Sequence, residues 1–182
     1  MEPNFSTETM VDVVNPLVEL GLATLVLVPI IVIHGWCLAQ IAKFFSSHYA
    51  FYTPLTPRWR AGLLTGSTIA LLVFIHFAET LLWTVPLIQL GILKNFRDAY
   101  YYVLEAYTTL GEGNMLLPDD WRLVGPVIAI SGLFTFGWTG SVLVVIMTET
   151  GKLYAARSKA EARDKGRNVG QGGAEGEKEE GR

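Results

Sequence analysis

The chain has 182 residues, 51% of them hydrophobic, with a mean hydropathy of +0.35 and a formal charge of −3 at pH 7. Hydrophobicity this high, gathered in blocks, excludes an ordinary soluble domain and points to an integral membrane protein. A single cysteine, Cys37, excludes an intrachain disulfide framework, and no nucleic-acid partner is expected.

Residues 1–16 carry Glu2, Glu8 and Asp12 but no Lys or Arg, unlike the basic leader of a cleaved signal peptide. The apolar block at 17–42 exceeds the roughly 20 residues that cross a bilayer as a helix and reads as a retained first span. Pro16 suits its first turn, and Pro29 is expected to bend it. Residues 43–60 form an aromatic linker broken by Pro54 and Pro57, followed by a second span at 61–90. Within 91–122, Asn95 or Asp98 caps a tyrosine-rich helix running to about Thr108, too short and polar to span but suited to a half-helix entering from one side.

A glycine-rich turn follows, Thr108-Thr109-Leu110-Gly111-Glu112-Gly113-Asn114, before Pro118, Asp119 and Asp120 lead back to the membrane. Trp121 and Arg122 anchor a third span, 123–149. The tail, 150–182, is polar: its first part extends the helix, and the Gly-, Glu- and Lys-rich stretch after about 166 is expected to be disordered. Lys43, Arg58 and Arg60 in the linker, and Lys152, Arg157 and Lys159 in the tail, put both on the cytoplasmic side by the positive-inside rule. The N-terminus is then outside, and 91–122 faces outward.

Irregular backbone at membrane depth is tolerated only where protein encloses it or it lines a watery cavity. Glycines alternating with larger residues let successive carbonyls point the same way, and a ring of carbonyls from several chains can replace a cation's hydration shell. The turn therefore reads as part of an ion pore.

The sequence LEAYTTLGEG at 104–113 resembles the pore helix and selectivity filter of the potassium-channel superfamily, whose signature is T-T-V-G-Y-G-D. SGLFTFG at 131–137 is similar to the glycine-bearing inner helix of bacterial two-helix potassium channels. With His76, Phe77, Ala78, Glu79 and Trp83, residues 71–148 resemble bacterial pore-loop channels of the two-pore-type potassium channel family. The resemblance implies an all-α membrane protein with three transmembrane helices plus a re-entrant pore helix and filter per chain. It also implies a homotetramer embedded in the lipids of a bacterial inner membrane, with span three lining the pore at Thr139 and Ser141. On the matching positions, Thr108, Thr109, Leu110, Gly111, Glu112 and Gly113 would bind the ion. Glu105, Asn114, Tyr101 and Tyr102 would support the filter, and Gly132 and Gly137 would form a gating hinge.

Glu112 stands where potassium-selective relatives carry tyrosine, and Asn114 where they carry aspartate. Gly111-Glu112-Gly113-Asn114 is similar to the G-D-G-N of bacterial sodium-and-potassium channels. The expectation is passive conduction of K+ or Na+ with weak selectivity, and binding or block by Ca2+ or Mg2+ at Glu112. The other orientation of Glu112 turns it behind the filter. A K+-selective channel, and a non-conducting subunit that uses the pore fold for assembly, are the alternatives. No nucleophile–base pair or phosphate-binding loop stands out, so neither an enzyme nor an organic cofactor is expected.

His76 and Glu79 lie three apart, on one face of span two, as a structural or pH-sensing pair. A metal site with His34 needs more convergent ligands than the sequence guarantees, and none is assigned.

Overall fold

The computed structural model describes residues 15–180 apart from Glu112 and Asn114, with side chains as far as residue 167. The expectations that rest on Glu112, on Asn114 or on residues 1–14 lie outside the described residues. Among those residues the chain is all-helical, without strands. The order is α1 (Pro16–Tyr49), α2 (Arg58–Gln89), α3 (Phe96–Tyr107), a short 3-10 turn (Asp119–Trp121) and α4 (Val124–Glu180). Three helical stretches, Pro16–Tyr49, Arg58–Gln89 and Asp119–Arg167, are long and apolar enough to cross a membrane.

Local chemistry accounts for the ends. The Asn15 side chain accepts from the Leu17 N–H at 3.0 Å, and Pro16 starts α1 where no amide donor is needed. Pro29 lies inside α1 without ending it. The helix continues past 42 to Tyr49, because 43–49 holds no breaker; Ser46 and Ser47 turn their hydroxyls back onto the Lys43 and Phe44 carbonyls.

α2 closes in a Schellman turn. The Gly91 N–H bonds Ile88 O and the Ile92 N–H bonds Leu87 O, with Gly91 at φ +70°. α4 is helical as far as Glu180. No proline follows Pro126, and adding residues to an existing helix escapes the cost of nucleating one.

The chain forms two compact units. Among the described residues, the first comprises 15–35 and 76–136. Its core joins Ile30 of α1, Trp83 and Leu87 of α2, Val103 and Tyr107 of α3 and Ile128 of α4. α3 is amphipathic: Ala99, Val103 and Tyr107, spaced four apart, are fully buried. Two glycines of α4 receive it. A Cβ on Gly125 would strike the Tyr102 hydroxyl, and one on Gly132 would strike the Tyr107 carbonyl oxygen. Glu19 of α1, itself buried, accepts hydrogen bonds from the amides of Leu123 and Val124 and so caps the start of α4.

The second unit comprises, among the described residues, 36–75 and 137–180. Leu38, Ile41 and Phe45 of α1 pack with Leu64 and Leu72 of α2 and Ile146 of α4. The Tyr49 hydroxyl donates to Glu149 O at 2.5 Å, and Arg157 donates to Thr56 O at 2.7 Å. These bonds tie the α1–α2 loop to α4.

Along α1, Leu25, Val28 and Val32 make one stripe of side chains more than half exposed. Leu133, Val144 and Val145 are similarly bare on α4. Apolar surface this extensive is unstable in water and at home in hydrocarbon, consistent with a membrane protein.

Candidate functional site

The site starts from α3. The Asn95 side chain accepts from the Arg97 N–H at 3.0 Å and caps the helix, while Asp98 sits in its first turn, where the dipole favours an acid. The helix ends at Tyr107 in a second Schellman pair. Thr109 N–H bonds Ala106 O at 3.0 Å and Leu110 N–H bonds Glu105 O at 2.9 Å. This geometry puts Thr109 at φ +59°, the sole non-glycine with positive φ among the described residues. A β-branched residue in that region is uncommon and strained. Positive φ recurs at Gly111 (+56°) and Gly113 (+73°), two and four residues on. Thr108, Thr109, Leu110, Gly111 and Gly113 are exposed on the chain.

Behind the turn lies a buried polar cluster centred on Glu79 of α2, whose side chain is 1% exposed. His34 Nδ1 of α1 meets Glu79 Oε1 at 2.5 Å, and the Tyr107 hydroxyl donates to Oε2 at 2.5 Å. Tyr107 also lies 2.9 Å from His76 Nδ1 and 2.6 Å from Thr135 Oγ1. A tyrosine phenol is protonated at ordinary pH, so Tyr107 serves as the donor to Glu79. If its single proton goes to Glu79, the proton on the His76–Tyr107 contact belongs to His76 Nδ1, which leaves His76 Nε2 with a bare lone pair. That nitrogen is buried and has no hydrogen-bond partner among the described residues.

No family model, curated protein or solved structure matches the chain.

The remaining expected site residues are distributed as follows. Glu105 is buried rather than turned outward, and its Oε1 has no partner among the described residues. Tyr102 is half-buried at Gly125, whereas Tyr101 is 41% exposed. Trp83 donates its indole N–H to Ser131 at 3.2 Å, linking α2 to α4. Gly132 is explained by close approach to α3, while Gly137 has open space around it. Ser141 returns its hydroxyl to Gly137 O at 3.2 Å.

Three contributors have partners that the sequence does not fix. Glu19 and Thr135 act through partners distant along the chain, and the alliance of His34 with His76 and Glu79 needs the fold to bring α1 alongside α2. A carboxylate or imidazole inside an apolar block is the only hint, and it marks burial without naming a partner.

Proposed function

We propose that this chain is one subunit of a tetrameric pore through which monovalent cations run passively down their gradient, with weak discrimination between K+ and Na+. One observation carries the reading: the backbone after α3, where positive φ falls at Thr109, Gly111 and Gly113 with Leu110 between the first two. A change of handedness from Thr109 to Leu110 to Gly111 rotates successive peptide planes so that carbonyls can gather along one edge of the turn, the arrangement that can replace ion hydration. Threonine in the left-handed region costs about 1–3 kcal/mol. A plain connecting loop avoids that cost by using glycine, so the threonine points to a use for its side chain. The turn is exposed on the single chain, as a surface meant for symmetry mates would be.

The half-helix supports the same reading. Its C-terminal end, worth about −0.5 charge, arrives where the turn begins and favours a cation there. A single turn cannot surround an ion, whereas four around an axis can. In this proposal the turn enters from the outer side, the termini lie outside and in the cytoplasm respectively, and Glu112 stands at the mouth.

Purified chain reconstituted in planar bilayers under bi-ionic Na+/K+ conditions tests this directly. The expected result is cation current with a reversal potential near zero. A folded, reconstituted protein that is monomeric in native mass spectra and passes no cation would overturn it.

A further inference from the structure

We propose that His34, His76 and Glu79 form a binding site for a divalent transition-metal ion of the zinc class. Each residue brings one ligand atom to within 4.8 Å of the others, and the three come from two helices, α1 and α2. Two imidazoles and one carboxylate are a recognised zinc donor set, which leaves a fourth position for water. Ligands bonded at ~2.0–2.1 Å in a tetrahedron stand ~3.3 Å apart, so modest side-chain rotations close the group around an ion.

Three further features fit an ion better than a closed hydrogen-bond network. The His76 Nε2 atom is buried and has no partner among the described residues, and such atoms call for an ion, a water or a strained role. Glu79 is a buried acid whose described partners are two imidazoles and a phenol, with no Lys or Arg among them. A divalent cation supplies the charge this carboxylate lacks. The outer support is also in place: Tyr107 donates to the second Glu79 oxygen and is itself held by Thr135 at 2.6 Å. Metal ligands are commonly oriented by such neighbours.

Binding displaces the proton between His34 Nδ1 and Glu79 Oε1, which leaves to solvent as the metal takes both lone pairs. An ion here clamps α1 to α2 and, through Tyr107, steadies the end of α3.

The test is a Co2+ titration of the full chain in detergent, followed by Zn2+ competition. The expected result is one equivalent per chain, read as the visible d–d absorption of a tetrahedral site and bleached by Zn2+. His34→Gln and His76→Gln should each weaken binding by more than the ~10–100-fold typical of lost outer-shell partners. Tyr107→Phe should fall within that range, and His48→Gln should change nothing. X-ray absorption of the Zn2+-loaded wild type should show two imidazoles, which keeps the test decisive if the variants misfold. No stoichiometric cobalt signal, a signal that survives both histidine substitutions, or at most one imidazole around the zinc would each overturn the proposal. None of these readouts depends on ion conduction.

Discussion

Gly132→Ala is the sharpest test of how α3 is seated. At an ordinary helix-interior position alanine outranks glycine by about 0.5–1 kcal/mol. At Gly132 the added methyl overlaps the Tyr107 carbonyl oxygen, and it comes within 2.9 Å of the carbonyl carbon and 3.2 Å of the ring. The obstruction is main chain rather than the end of a flexible side chain, so α3 and α4 must part. Overpacking of this kind costs about 1–3 kcal/mol. After the propensity gain, a net loss of about 1–2 kcal/mol remains, roughly a 5–30-fold change in the folded-to-unfolded ratio. Gly137→Ala is the matched control, because no atom lies within 4 Å of its added methyl. Thermal unfolding in detergent, followed by circular dichroism, compares the two. Gly132→Ala should melt below wild type, and Gly137→Ala at or above it. Gly132→Ala as stable as Gly137→Ala would refute the close approach and, with it, the described seat of α3.

Glu19→Ala strips the acceptor from the Leu123 and Val124 amides and should lower stability by about 2 kcal/mol in the same unfolding assay. Glu19→Gln, which keeps one acceptor oxygen without the charge, should lose less. Tyr107→Phe leaves Glu79 Oε2 and His76 Nδ1 without this hydroxyl, and about 1–3 kcal/mol of destabilisation is expected, read by unfolding and by faster hydrogen exchange at the Thr109 and Leu110 amides. For the proposed pore, four Glu112 carboxylates ~8 Å apart repel pairwise by ~0.5 kcal/mol in water and ~2 kcal/mol at an effective dielectric near 20. External Ca2+ should therefore partly block monovalent current, acid should relieve the block by protonating these groups, and Glu112→Gln should abolish both effects in bilayer recordings.

The helical class and the spans were legible because they rest on local composition. Three long apolar runs, the Asn95 cap and the Gly91 stop are each decided within a few residues. Boundaries were less so. Residues 43–49 look like an interfacial linker because of their aromatics, yet nothing among them breaks a helix, and α1 takes them in. The tail past 166 has the composition of a disordered segment, and it continues directly from the helix of α4.

At the site, α3 and the turn after it were readable from local pattern, as was the shared face of His76 and Glu79, whereas a role for Glu105 came only from the resemblance. The strain at Thr109 was not, since nothing in Thr-Thr-Leu announces positive φ. Nor was the role of His34, which depends on which face α1 turns to α2.

The Glu79 cluster also bears on how the protein is made. α2 is long and apolar enough to cross a membrane yet carries an acid in that stretch, and a charged group at the centre of a spanning helix costs a few kcal/mol on translocon-insertion scales. Its partners come from segments synthesised both before it, at His34, and after it, at Tyr107 and Thr135. During biogenesis, then, only the first of these can greet α2 as it leaves the ribosome. Early contact of His34 with Glu79 would shelter the acid until α3 arrives.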